Sequence, residues 1–225
     1  LVERLEKNGA IVIAKSNTPE FGAGSHTFNE VFGHTHNPWN TELTAGGSSG
    51  GAAASLAAGQ VWLASGSDLG GSLRNPGSFC SVVGLRPSPG RVAHGPSDLP
   101  FNDLSVDGPM ARNVNDTALM LDAQVGRDPR DPISLPLPER SFCHAAEHPT
   151  KPKRVAFSPD LGLLPVDPEV KQICEDAAKS FEEMGVTVEE ACIDFTGADE
   201  IFHVLRGQLF AAGRQSLLDR REMLK

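Results

Sequence analysis

Short apolar runs, each closed by glycine or proline, set the rhythm of this chain, and their lengths separate strands from helices. Leu1 to Asn8 is amphipathic at helical spacing and stops at Gly9, so it reads as the end of a helix. Ala10 to Ala14 is a continuous apolar run too short for a helix and is expected to be a buried strand. Pro19 then opens a loop that continues past Trp39. Ala52 to Ala58 predicts a helix ended by Gly59, and Val61 to Ala64 predicts a second buried strand. The small side chains of that helix let it lie close to a sheet. Asn113 is placed to cap a helix that turns Val114, Ala118, Leu121 and Val125 toward the core.

Residues 126–153 hold Pro129, Pro132, Pro136, Pro138, Pro149 and Pro152 and read as a connector. It separates residues 1–125 from residues 154–225, the start of the second half of the same domain. Arg154 to Phe157 resumes a strand. Asp167-Pro168 opens a helix with Val170, Ile173, Cys174, Ala177, Phe181 and Met184 on one face and Gly185 at its end. Val186 to Val188 follows as a strand, and this βαβ unit favours parallel pairing. Ala198 to Leu224 reads as one long helix with a break near Gly213. The expected architecture is α/β, a mixed and mostly parallel sheet covered by helices.

At 225 residues, 39% hydrophobic and 22% charged, the chain is large enough for one α/β domain or most of one. A formal net charge of −9 argues against nucleic acid or an anionic membrane as partner, since both demand basic surfaces. No apolar run reaches the length of a membrane span, and no signal peptide is visible. Cys80, Cys143, Cys174 and Cys192 follow neither metal-ligand nor disulfide-framework spacing, which suits a reducing cytoplasm. Cys80 reads as a buried thiol. His34 and His36 fall on one side of an extended strand, with no carboxylate or cysteine at matching spacing, so no metal site is expected. Oligomeric state is not encoded in any readable pattern.

The candidate chemistry lies in two glycine-rich runs, Gly46-Gly47-Ser48-Ser49-Gly50-Gly51 and Gly66-Ser67-Asp68-Leu69-Gly70-Gly71-Ser72-Leu73-Arg74. Glycine lets a backbone approach a reacting atom closely, so successive N–H groups can converge on developing negative charge. The N–H groups of Leu69, Gly70, Gly71 and Ser72 are the expected oxyanion cradle. Asp68 and Arg74 flank it and are expected to hold its shape through charge-assisted bonds. Ser49 either joins a serine hydrogen-bond network or caps the helix that follows it. The first run also satisfies Gly-x-Ser-x-Gly, the α/β-hydrolase elbow, but that elbow needs a buried strand before it and Trp39 to Thr44 is too polar for one. A reading from a different class is a non-catalytic anion-binding or interaction module, because glycine-rich turns before helices bind phosphate. Neither run, however, has the lysine of a phosphate loop.

These runs, with Ala14 to Phe21, Asn37-Pro38-Trp39, the stretch Gly46 to Arg91 and Gly108-Pro109-Met110-Ala111-Arg112, resemble the amidase signature family. The likeness extends from about Asn8 to about Gly126. It implies a serine hydrolase of small-molecule amides with a Ser–cis-Ser–Lys triad and no cofactor. Ser72 would be the nucleophile that forms the acyl-enzyme. Ser48, after a cis peptide bond from Gly47, would be the bridging serine that relays its proton to a neutral lysine, and Ser49 would support the network. The family places that lysine upstream in a Lys-Asp-Asn-like motif, which this chain lacks. Lys15 belongs to the family's later strand-end motif and reads as structural. The chain is therefore expected to be part of a longer amidase domain, incomplete at both ends, inactive alone, with the activity belonging to the parent. A glutaminase resembling the one in an amidotransferase complex is the alternative within the family, and nothing basic here suggests tRNA contact.

Overall fold

A computed structural model describes residues 1–223, which divide into two compact units, Leu1–His148 and a second that begins at Pro149. The first begins with helix α1 (Val2–Lys7), closed at Gly9, whose φ of 86° is a left-handed value that glycine adopts without strain. Two hairpins follow: β1 (Phe28–Asn29) with β2 (Gly33–His34), and β3 (His36–Asn37) with β4 (Asn40–Thr44). The chain then builds α2 (Gly50–Ala57), β5 (Leu63–Asp68), α3 (Arg74–Phe79), β6 (Val83–Gly84), β7 (Val106–Ala111), α4 (Val114–Gln124) and α5 (Phe142–Glu147).

The order β5-β7-β6 makes a three-stranded antiparallel sheet, with Asp68 opposite Val106 and Leu63 opposite Ala111. Its middle strand contains Pro109, which cannot donate to the ladder but accepts from Leu85 N–H at 3.1 Å. Helix α2 packs on this sheet through Ala52, Ala53 and Leu56, and Leu73, Cys80, Met110 and Ala45 complete the core. Leu56 and Met110 are fully buried, and burying side chains of this size stabilises the fold by roughly 1.5–3 kcal/mol each. The Arg112 guanidinium donates to the carbonyls of Leu56 and Val61 at 3.3 and 3.4 Å, fastening the far end of α2 to β7. A smaller cluster of Val92, Leu121 and Val125 joins α4 to the preceding loop.

The second unit pairs β8 (Arg154–Phe157) with β9 (Thr187–Glu190) in parallel, linked by α6 (Pro168–Lys179) and a 3-10 turn over Ser180–Met184. Asp167 caps α6 by accepting from Glu169 N–H, and Gly185 ends the turn in the left-handed region. Among the described residues, parallel pairing is confined to β8 and β9. Helix α7 (Ala198–Gly213) is followed from Gln215 by 3-10 geometry, so the expected helix breaks at Gly213, and its expected end at Leu224 lies outside the described residues.

Several expectations need correction. The loop expected from Pro19 past Trp39 carries β1, β2 and β3, and the strand expected at Val61 to Ala64 runs instead over Leu63–Asp68, with Trp62 78% exposed. Ala10 to Ala14 forms no strand, and Ile11 and Ile13 are 86% and 71% exposed, because no described strand lies alongside to hydrogen-bond it. Val114, at the first turn of α4, points to solvent, while Met120 and Gln124 share the buried face with Ala118 and Leu121. The apolar face read on α6 lies open, with Val170, Ile173, Cys174 and Ala177 all exposed, and the helix itself ends at Lys179, so that Phe181 and Met184 fall in the 3-10 turn. Residues 126–153 also carry α5, which Ser141 caps by accepting from His144 N–H.

Candidate active site

Each serine run lies where a strand hands over to a helix. The first connects β4 to α2, through fully buried Ala45 and through Gly46 at φ 75°. The Gly47–Ser48 peptide bond is cis. Gly47 packs against another backbone: a Cβ there would lie 2.9 Å from Gly24 O and His26 N. Ser48 and Ser49 are each 4% exposed, whereas Ser72 is half-buried and Gly70 is exposed. Of the two runs, the second therefore carries the more accessible serine.

The second run is organised by Asp68, the last residue of β5, whose side chain is fully buried. Its Oδ1 accepts from Gly71 N–H at 2.8 Å and its Oδ2 from Leu73 N–H at 3.2 Å. Arg74 grips the same carboxylate with two bonds, Nε to Oδ2 at 2.9 Å and Nη2 to Oδ1 at 3.0 Å. Arg86 adds Nη1 to Oδ1 at 3.2 Å, donates to the Asp68 main-chain carbonyl, and reaches Leu104 O at 3.0 Å. Burial alone would raise the Asp68 pKa, but the Arg74 bond and the Gly71 and Leu73 amides outweigh it and hold the acid below the ordinary carboxylate value. In return the Asp68 hydrogen bond holds the Arg74 guanidinium above its usual value.

The runs are stitched to each other. Ser49 N–H donates to Ser72 O at 3.3 Å, and Ser49 Oγ both donates to Ser67 O at 3.3 Å and accepts from Ser67 N–H at 3.2 Å. Ser49 thus makes no side-chain cap on α2; its hydroxyl is spent on β5. The match is close enough that a Cβ on Gly66 would meet Ser49 Oγ at 2.5 Å. Of the four amides expected to form a cradle, Gly71 N–H is already bound by Asp68. Among the described residues no hydrogen bond engages the N–H groups of Leu69, Gly70 or Ser72.

The segment expected to be too polar for a buried strand is β4, all but its last residue exposed, so it is not the strand a hydrolase elbow requires. Asn37-Pro38-Trp39 braces the end of α3: Asn37 Nδ2 donates to Phe79 O at 2.7 Å and Trp39 Nε1 to Cys80 O at 2.8 Å. Cys80 is a buried thiol, its pKa raised by burial. Every lysine among the described residues is exposed, Lys15 included, so none has the desolvated setting of a proton-accepting amine. His34 and His36 have ring centroids 6.2 Å apart, and Phe28 stacks on His34.

Two residues at this site escaped sequence reasoning. Arg86 could have been sought, since a carboxylate bound for full burial needs strong partners. Thr27 gave no signal in spacing or composition; its hydroxyl touches the first serine run. Nearby, His94 Nδ1 lies 2.9 Å from Asp107 Oδ2, on the strand beside β5, and this bond holds His94 above the ordinary imidazole value despite partial burial.

The family model described as Amidase matches residues 1–220. An acylamidase of Rhodococcus erythropolis is 46% identical over 191 residues, covering 85% of this chain and 40% of that protein. A glutamyl-tRNA(Gln) amidotransferase subunit of Thermosynechococcus vestitus is 40% identical over 206 residues, covering 91% of this chain and 43% of that protein. Among solved structures, a bacterial aryl acylamidase of the amidase signature enzymes superposes with a TM-score of 0.88 at 31% identity, covering 100% of this chain and 46% of that one. The chain thus spans about two-fifths of the length of the curated relatives it matches.

Proposed function

This chain belongs to the amidase signature family, and from that premise we propose that the protein carrying it hydrolyses the amide bonds of small molecules through an acyl-enzyme on Ser72. In this reading Ser72 Oγ attacks the amide carbonyl carbon while its proton passes to Ser48 and on to a neutral lysine. The carbonyl oxygen becomes an oxyanion, held by the amides of Leu69, Gly70 and Ser72, with Gly71 kept in place by Asp68. Collapse breaks the C–N bond, and the leaving amine takes its proton back through Ser48. Water then attacks the acyl-enzyme by the same relay and frees the acid. Each cradle donor of this kind is worth about 10²–10³ in turnover by deletion. Since the lysines described here are all exposed, the reading assigns the base to polypeptide outside this chain.

The observation that carries the proposal is the docking of the two serine runs, with Ser49 N–H on Ser72 O at 3.3 Å beside the cis Gly47–Ser48 bond. The test is labelling by a serine-directed fluorophosphonate, together with turnover of aliphatic and aryl amides, in the whole protein. Label on Ser72 that Ser72→Ala abolishes, with loss of turnover, is the expected result. Ser48→Ala should keep a slow residual acylation. An unlabelled, inactive wild-type protein would favour the binding-module reading instead.

A second reading, glutamine amide hydrolysis within an amidotransferase assembly, draws on the similarity to the amidotransferase relative. The net charge of −9 weighs toward a free-standing amidase that works without nucleic acid, and the free cysteines suit a reducing cytoplasm. Release of ammonia from glutamine only in the presence of partner proteins would reverse that order.

A further inference from the structure

The serine turn is not held by its own sequence alone. Thr27, from the loop before β1, is 2% exposed and spans the turn: its hydroxyl donates to Gly46 O at 2.8 Å and accepts from Gly50 N–H at 3.1 Å. Ser48 O lies 3.4 Å from the same hydroxyl. Residues 47 to 49 are therefore bracketed by one side chain contributed from far away in sequence. Gly50 opens α2, where the first amides have no partner within the helix. Ser49 stands at the capping position without capping, because its hydroxyl is engaged by Ser67. Thr27 takes over part of the cap and frees Ser49 to bind the other run. The fit also explains Gly50, where an added Cβ would overlap Thr27 Oγ1.

Thr27 is itself fixed from several directions. Its carbonyl accepts from Thr35 N–H at 2.9 Å. Asn29 Nδ2 donates to Asn17 Oδ1 at 2.6 Å and to Thr18 O at 2.9 Å, and Asn17 Nδ2 reaches Thr35 Oγ1 at 3.1 Å. His26 Nδ1 lies 3.0 Å from Thr44 Oγ1, which accepts from Gly46 N–H at 3.1 Å. The backbone of Asn17 also lies against Gly51, whose Cβ would come within 2.5 Å of it. A buried hydroxyl aimed at both ends of a turn, on a loop with its own bracing, is more than a filler of space.

We infer that Thr27 is a positioning residue for Ser48, its hydroxyl setting the turn from which that serine meets Ser72. The inference rests on the amidase reading. Misplacing a reacting group by about 1 Å can cost on the order of a hundredfold in rate. Thr27→Val keeps the shape and removes the hydroxyl, whereas Thr27→Ser keeps the hydroxyl. In the whole protein, Thr27→Val is expected to lower kcat at least about tenfold with KM little changed, and Thr27→Ser to recover most of the loss.

An activity-independent measurement accompanies this. Hydrogen exchange of the Gly46–Gly51 amides should quicken about tenfold or more in Thr27→Val and stay near wild type in Thr27→Ser. Unchanged exchange would overturn the bracket, and faster exchange with wild-type kcat would overturn the positioning role. A wild-type protein that cleaves no amide and takes no label would sink the amidase reading, while the exchange data still decide whether Thr27 sets the turn.

Discussion

Replacing Asp68 with asparagine tests the organisation of the second serine run most directly. The carboxylate accepts five hydrogen bonds, from Gly71, Leu73, Arg74 twice and Arg86, with no exposure to water. Asparagine leaves one acceptor oxygen, turns an NH2 group toward donors and removes the charge that two guanidiniums face. Breaking a buried ion pair by removing one partner costs about 3–5 kcal/mol. The Arg74 side chain is 55% exposed and can turn to water, which places the expected cost near the lower bound. A loss of about 3 kcal/mol lowers the melting temperature by roughly 6–12 °C for a domain of this size.

The sign of the pH dependence follows from the depressed pKa of Asp68. Its contribution is complete above the unfolded carboxylate value of about 3.9 and is lost as pH falls through the lower folded value. Thermal unfolding by circular dichroism on wild type and Asp68→Asn from neutral pH down to pH 3 is the assay. The gap between the two proteins should be widest near neutrality and narrow below about pH 4. A variant melting within about 2 °C of wild type at pH 7, or a gap that widens in acid, would refute the reasoning.

Three further outcomes are expected. Gln124 is 1% exposed and neither of its side-chain polar atoms finds a partner among the described residues, so Gln124→Met should leave stability unchanged or raise it by about 1–2 kcal/mol in urea unfolding. A Cβ on Gly84 would overlap the main-chain carbonyl of Leu73, so Gly84→Ala should destabilise by about 1–3 kcal/mol and disturb the loop that carries Ser72. His94 should titrate above the ordinary imidazole value by NMR and return toward it in Asp107→Asn. Because the shift is upward, any stabilisation from that pair is full below the unfolded His value of about 6.5 and fades as pH rises through the folded one.

Local chemistry was the legible part of this chain. Caps at Asn113 and Asp167, the stop at Gly185, strand β8 and the helix after the first serine run all depend on neighbours a few residues away. Long-range pairing was harder to read. Strand β7 hides because Gly108 and Pro109 interrupt it, and it survives in mid-sheet because Pro109 needs to offer only its carbonyl to Leu85. Ala10 to Ala14 looks like buried strand by every local criterion, yet burial depends on a neighbour that pattern cannot supply. At the candidate site the glycines and serines stood out by their density. Arg86 and Thr27 did not, since each acts through contacts reaching in from distant sequence.

Thr27 also limits what can be transplanted. A six-residue cassette spelling Gly46 to Gly51, grafted onto another strand–helix junction, would arrive without the hydroxyl that spans it and without the loop that presents that hydroxyl. A protein engineer would need to move two segments in register, residues 24–29 with 46–51. A motif search keyed to the glycine-serine string alone would accept impostors that one further question, whether a side chain from elsewhere bridges the turn, would reject.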